Sequence, residues 1–235
     1  MQEPSAYNLA LNDYLNGDKK AQITILCDLA DDDIMDVDYY FRKEKDLPEL
    51  EKLALSLCHH KVLDVGASVG AHAIPLKEKG HEVTAIDISE TAITYLKQKG
   101  IKAKKSSFEQ YDEFGFQTIL LLMNGIGLAG KLNNLEAFLK KCYDMLEEGG
   151  NVLCDSTDVR YFYEDDEGAL WMDLNAEYYG EFSFAMKYKH LQDEFFNWLY
   201  VDEEKLTEIA TKVGFTAHKR YQEDSAFLME LIKTK

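Results

Sequence analysis

Cysteine is scarce in this chain. Cys27, Cys58, Cys142 and Cys154 are scattered over 235 residues, with no Cys-x-x-Cys pair and no zinc-like Cys/His spacing. Such spacing offers neither a disulfide framework nor a structural zinc site, and it predicts a cytoplasmic protein with reduced thiols. Long apolar runs are missing as well. The longest, such as Ile119 to Met123, are far too short to span a bilayer, so no membrane partner is expected. The opening residues Met-Gln-Glu-Pro-Ser lack a basic region followed by an apolar stretch, and no signal peptide is expected. Basic charge is in deficit, with 26 Lys and Arg against 43 Asp and Glu, for a net charge of −17. A surface of that sign repels a phosphate backbone, which argues against a nucleic-acid partner. The basic cluster Lys97, Lys99, Lys102, Lys104 and Lys105 reads as a solvated surface. Oligomeric state is not legible.

A hydrophobic share of 46% is enough to bury the core of one large α/β domain. From residue 61 short apolar strands alternate with amphipathic helices, the pattern of a parallel sheet covered on both faces. Strands are predicted at Lys61–Val65, Glu82–Asp87, Ile101–Lys105, Gln117–Met123 and Asn151–Asp155, the fourth being apolar enough to be central. Helices are predicted from about Val69 to Lys79, ending at Gly80, and over Glu90–Lys99 behind a Ser89 cap. Another is capped by Asn133 or Asn134 and ends near Glu148. Beyond residue 160 aromatics crowd the chain, and about Tyr178–His190 with Glu194–Tyr200 read as an antiparallel hairpin. An Asp202-capped helix and two last strands follow, near Phe215–Tyr221 and Phe227–Ile232. Residues 1–60 hold a first helix, an acidic stretch from Asp28 to Asp38, and a second helix over Leu47–Cys58. This gives a Rossmann-like, doubly wound α/β domain over 61–235 with a lid-like insertion at about 160–200. The 1–60 segment and the hairpin form a cover.

Strand, tight glycine turn and helix start at Asp64-Val65-Gly66-Ala67-Ser68-Val69-Gly70 make a site for a nucleotide-like ligand, because glycine admits close backbone approach and helix N–H groups face the ligand. Asp87 lies 21 residues beyond Gly66 at the end of the second strand, where a carboxylate accepts hydrogen bonds from ribose hydroxyls. Three chemistries compete for this loop. A dinucleotide enzyme needs glycine at the Ser68 position, so that the backbone can approach a pyrophosphate. S-adenosylmethionine has no pyrophosphate and tolerates serine there. Gly66 to Gly70 also spells the nucleophile elbow Gly-x-Ser-x-Gly, and a hydrolase triad could be drawn as Ser68, Asp155 and His218. Against that, His218 falls inside a predicted strand, no His-Gly-Gly segment precedes the elbow, and Asp64 and Asp87 are left without a role.

Val62 to Gly70 resembles the first motif of class I S-adenosylmethionine-dependent methyltransferases, and Val83 to Ser89 their second, acidic motif. Ser106-Ser107-Phe108 stands where that family flanks the adenine, with Ser107 in place of a frequent acid. Phe116 to Gly125 is similar to the fourth motif, with Gln117 in place of a frequent Asp, and Leu146 to Leu153 to the turn entering the fifth strand. The resemblance covers about residues 60–156. It implies a mostly parallel seven-stranded sheet with an antiparallel last strand, and S-adenosyl-L-methionine held by Asp64, Gly66, Ala67, Ser68, Gly70, Asp87, Ile88, Ser107, Phe108, Met123, Asn124 and Gly125. Of these, Met123, Asn124 and Gly125 would line the transfer site. A left-handed Ser68 would cost of order 1 kcal/mol.

In-line transfer of an already activated methyl needs positioning and exclusion of water, so no general base is assigned. Asn124 precedes Gly125 and Ile126 rather than Pro-Pro-Tyr, unlike DNA amino methyltransferases, and the acceptor is expected to be a small molecule. The acidic stretch before Tyr39-Tyr40-Phe41-Arg42, and Tyr161, Tyr163, Trp171, Tyr178 and Tyr179 beside Glu164, Asp165, Asp166 and Glu167, read first as solvated face and core. The sharper expectation is a lid pocket favouring a cationic acceptor. No metal is expected. Arg42 suits either the cofactor carboxylate or a surface salt bridge, and His59, His60 and His72 have no recognisable partner. The other class of reading is a protein that binds the cofactor or its demethylated product without catalysis.

Overall fold

The computed structural model describes residues 5–163 and 177–234. The strands β3 (Lys61–Val65), β4 (Glu82–Asp87), β5 (Lys102–Lys105), β6 (Phe116–Leu121), β7 (Leu146–Thr157), β11 (Phe215–Glu223) and β12 (Ala226–Lys233) form one sheet. Their order is β11-β12-β7-β6-β3-β4-β5. The pairs from β7 to β5 are parallel, while β12 runs antiparallel to both β7 and β11. Thus the fold is Rossmann-like α/β with a mostly parallel seven-stranded sheet. Its order reverses between β3 and β6, and the crevice outside the carboxyl ends of those strands is where such sheets bind ligands. β6 is central, and Ile119, Leu120 and Leu121 are fully buried, as a strand covered on both faces requires.

Helices α2 (Glu49–Ser56), α3 (Ala73–Glu78), α4 (Glu90–Gln98), α5 (Leu132–Met145) and α6 (Glu203–Val213) cover the faces. Ser89 Oγ accepts the Ala92 amide at 3.1 Å to start α4, and Asp202 Oδ1 accepts the Lys205 amide at 2.8 Å to start α6. Each bond satisfies one of the orphan donors of a first turn. On α5, Leu135, Phe138, Leu139, Cys142 and Met145 recur at helical spacing and are buried in the larger core. The expected Asn133 or Asn134 cap is corrected here: α5 starts one residue after Lys131, and Asn134 Nδ2 instead donates to the Ala129 carbonyl at 3.2 Å. The helix also stops at Met145, because Leu146 turns extended and pairs with Phe116.

A second sheet lies apart from the first. Strands β1 (Gln22–Cys27) and β2 (Asp33–Asp36) pair antiparallel, and β1 also pairs with β8 (Glu181–Tyr188), which carries β9 (Leu191–Gln192) and β10 (Phe196–Leu199). The expected hairpin is β8 with β10. The acidic stretch, read only as a solvated charge run, holds β2, and its strand partner β1 had not been expected at all. Helix α1 (Ala6–Leu15) buries Ala6, Ala10, Leu11 and Tyr14 in a cluster that also holds Val69 and Ala92 of the main domain. Its first amide donates to Asp193 at 2.8 Å, and Asn8 Oδ1 accepts the Ser89 hydroxyl at 2.5 Å. Among the described residues, no helix is long and apolar enough to cross a membrane.

Candidate functional site at the carboxyl ends of the central strands

After β3 the chain turns through Gly66, Ser68 and Gly70 with φ of +70°, +47° and +90°. The Gly66 and Ala67 amides both donate to the Ile86 carbonyl of β4, at 2.9 and 3.0 Å, which ties the loop to the neighbouring strand end. Gly70 has no room for a side chain: a Cβ there would stand 2.6 Å from Leu96 Cδ2. Ser68 takes the left-handed conformation without being glycine, at a cost of order 1 kcal/mol. Two contacts hold it there. Its amide donates to Asp87 Oδ2 at 2.8 Å, and its hydroxyl pairs with that of Tyr7 on α1.

The Asp87 carboxylate also accepts the Ser89 amide at 2.7 Å. Burial raises its pKa above the ordinary carboxylate value, and the Ser89, Ser68 and Ile88 amides oppose this only in part. Ile88 beside it is 68% exposed, an open apolar side chain next to the one carboxylate at this strand end. Asp64 is buried under the loop with Oδ2 lacking a partner among the described residues. Burial raises its pKa to about 6, opposed by the nearby His72. Ser106 donates its amide to the Asp87 carbonyl at 3.0 Å and Ser107 Oγ accepts the Gln110 amide at 3.3 Å, while Phe108 turns into the core against Phe138.

At the end of β6, Met123 and Asn124 have φ of +60° and +56°. Two consecutive non-glycine residues in that region store strain that only surrounding contacts sustain. Here the Asn124 amide donates to Asp155 Oδ1 at 2.9 Å and Asn124 Nδ2 donates to the Leu199 carbonyl at 3.1 Å. Asn124 Oδ1 is buried without a partner among the described residues. Gly125 packs closely here: a Cβ would stand 3.2 Å from Leu121 Cβ, tighter than an ordinary contact.

Met123 and Asp155 form part of the wall of a cleft of about 800 Å³, which Asp38, Tyr39, Arg42 and Glu51 of the N-terminal segment also line. Arg42 Nη2 donates to both oxygens of Glu51, at 2.8 and 2.7 Å, and His72 Nε2 meets the same carboxylate at 2.7 Å. Arg42 and Glu51 side chains are each 6% exposed, so of the two roles open to Arg42 in the sequence the structure shows an ion pair, buried rather than at the surface. His72 likewise has a partner that its place in the sequence concealed. Although burial raises the Glu51 pKa, the His72 bond and the Arg42 charge outweigh it and hold Glu51 below its ordinary value.

Of the expected site residues, the structure brings Asp64, Gly66, Ala67, Ser68, Gly70, Asp87 and Ile88 to one end of β3 and β4, and Met123, Asn124 and Gly125 to the adjoining end of β6. Four residues had been missed in this context: Tyr7, Tyr40, Glu51 and Asp155. Tyr7 meets Tyr40 edge to face at 5.3 Å. No local motif marks them, because three lie in a segment that reaches the site only through tertiary packing.

The lid pocket expectation changes. Tyr178 and Tyr179 donate to Asp202 at 2.5 and 3.1 Å, so both serve the entry to α6 and neither lines the cleft. Glu164, Asp165, Asp166, Glu167 and Trp171 lie outside the described residues. The hydrolase triad is not assembled either. His218 sits on β11, separated from β3 by β12, β7 and β6, and the Ser68 hydroxyl is engaged by Tyr7. Three lysines of the basic cluster pair with carboxylates: Lys102 with Glu113, Lys104 with Asp112, and Lys105 with Glu90. No group of three or more His, Cys, Asp or Glu among the described residues is placed to hold a metal ion.

Sheet order, glycine loop and strand-end carboxylate together define a Rossmann-like protein for a nucleoside ligand. Comparison with known proteins narrows this. Residues 62–150 match the family model described as a methyltransferase domain. The crystal structure of an S-adenosylmethionine-dependent methyltransferase from Bacteroides fragilis, in complex with S-adenosyl-L-homocysteine, superimposes with a TM-score of 0.90. It is 35% identical over 98% of this chain and 95% of that one. The CcbJ methyltransferase of Streptomyces caelestis shares the fold at 15% identity, with a TM-score of 0.62 over 84% of this chain and 96% of that one. A ubiquinone biosynthesis O-methyltransferase from Rickettsia conorii is 29% identical over 108 residues, which span 43% of this chain and only 36% of that relative. The chain belongs to the S-adenosylmethionine-dependent methyltransferase family, and S-adenosylmethionine is its cofactor.

Proposed function

We propose that this enzyme methylates a small-molecule acceptor admitted through the cleft beside Met123, with the cofactor held on the loop Asp64–Gly70. The observation that carries the reading is the bond from the Ser68 amide to Asp87, which locks a left-handed loop against a carboxylate at the neighbouring strand end. The residues fit the cofactor. Gly66 leaves the loop without a side chain where it departs from β3, Gly70 lets the loop pack close on Leu96, Asp64 Oδ2 is a buried acceptor without a partner among the described residues, and Ile88 offers an exposed apolar face. In this reading Asp87 takes the ribose hydroxyls, and Gly66, Ala67, Ser68 and Gly70 let the ligand approach the backbone. Ile88, Ser107 and Phe108 flank the adenine, the last two on resemblance alone. Met123, Asn124 and Gly125 border the transfer position. The cofactor supplies an activated sulfonium methyl, so the chain's own task is to orient the two reactants and keep water out.

The same reading makes residues 1–60 a cover over a methyltransferase domain of residues 61–235, with an insertion at about 160–200. Pairing of β1 with β8 supports it, because it joins the two covering pieces into one sheet. A nucleic-acid acceptor is disfavoured by the net charge of −17. The relative from Rickettsia conorii, an O-methyltransferase, supports a heteroatom acceptor. Four free thiols, three of them buried, favour a reducing cytoplasmic setting. The test is calorimetric titration with S-adenosylmethionine and with S-adenosylhomocysteine. Saturable binding of both is expected, and absence of binding by either overturns the reading.

A further inference from the structure

Asp155 ends the apolar part of β7, next to the strand end that carries Met123, and it lines the cleft. It remains partly exposed there, unlike its neighbours Cys154 and Ser156, which are buried. One oxygen is fixed by the Asn124 amide at 2.9 Å, a bond that depends on the left-handed turn at Met123 and Asn124. The fold therefore uses strained backbone to hold this carboxyl group in place, and strain of that kind is found where a group must be held for function. Its surroundings are mixed in charge. Glu51 on α2 opposes its ionisation and His72 before α3 favours it, while Tyr39 and Tyr200 are close enough to feel its charge. Burial, with Glu51, lifts its pKa to about 7 against the pull of the Asn124 amide. A carboxyl group near neutrality is suited to both receiving and releasing a proton.

We infer that Asp155 is the proton acceptor of the transfer, and that the acceptor substrate presents an N–H or O–H group to it across the cleft floor. In this step the acceptor's nitrogen or oxygen lone pair forms the new bond to the methyl carbon. The carbon–sulfur bond breaks with its electron pair passing to sulfur, and the displaced proton moves to the Asp155 carboxylate. Asn124 is a positioning residue that fixes the carboxylate through its amide.

The inference rests on the cofactor reading above, and its test keeps the two failures apart without needing the natural acceptor. The probe is sinefungin, a cofactor analogue with a primary ammonium in place of the methyl-bearing sulfonium, titrated against S-adenosylhomocysteine, whose sulfur is neutral. A carboxylate facing a cation has its pKa lowered by about one unit or more, so sinefungin should gain about fivefold or more over S-adenosylhomocysteine between about pH 6 and about pH 8. Asp155→Asn keeps an oxygen for the Asn124 amide and should lose that gain while still binding S-adenosylhomocysteine. Asp155→Glu should retain a pH-dependent gain. A flat sinefungin preference in the unsubstituted enzyme overturns the inference, and so does a gain that survives in Asp155→Asn, which would assign it to another group. Failure of S-adenosylhomocysteine to bind the unsubstituted enzyme overturns the cofactor reading instead.

Discussion

The Ser68 amide donates to Asp87 Oδ2 at 2.8 Å, joining the middle of the glycine loop to the strand end beside it. A residue that costs the backbone conformational energy is thus held by the carboxylate that the cofactor reading needs in place. This contact couples loop shape to carboxylate position, and neither would be expected to survive loss of the other unchanged.

Stability measurements on Ser68 variants separate strain from hydrogen bonding. Ser68→Ala loses the hydroxyl bond to Tyr7 and keeps the left-handed φ, so it should cost about 1 kcal/mol. Ser68→Gly loses the same bond but relieves strain of order 1 kcal/mol, and it should lie close to the parent. Denaturant midpoints check the order. An alanine variant at least as stable as the glycine variant would remove strain from the account.

The buried triad of Arg42, Glu51 and His72 should govern acid stability. Glu51 has a folded pKa below its ordinary 4.5. Its contribution is therefore complete above the unfolded value and is lost as pH falls through the folded value. Glu51→Gln should leave Arg42 buried without its counter-charge, cost about 3 kcal/mol or more, and flatten the melting temperature against pH below about pH 4.5. Thermal melts across that range check it. A variant with the parent's acid slope would place the slope on other carboxylates.

Legibility in the sequence followed locality. The sheet from β3 to β12 could be read because each strand carries its own apolar run and each turn its own glycine or cap, as at Gly80, Ser89, Asp202 and Gly214. Asp87 was legible for the same reason, since spacing along one strand-loop-helix unit places it. The cover was not. β2 reads as a charge run because Asp33 and Asp36 lie on an exposed strand, and β1 finds a partner in β8, more than 150 residues away. Glu51 and His72 are in hydrogen-bond contact because α2 and α3 bury residues in one shared cluster, and no periodicity reports a contact between elements. Asp155 was visible only as a member of a triad that the sheet order takes apart. The positive φ at Met123 and Asn124 has no sequence signature beyond an asparagine, which tolerates that region.

If Asp87 and the loop it fixes hold the cofactor, calorimetry on Asp87→Ala will register the loss. The unsubstituted enzyme should bind S-adenosylhomocysteine, and the variant, shown by its melt to be folded, should bind at least about tenfold more weakly through loss of charge-assisted hydrogen bonds. An unchanged dissociation constant in a folded variant would contradict the assignment.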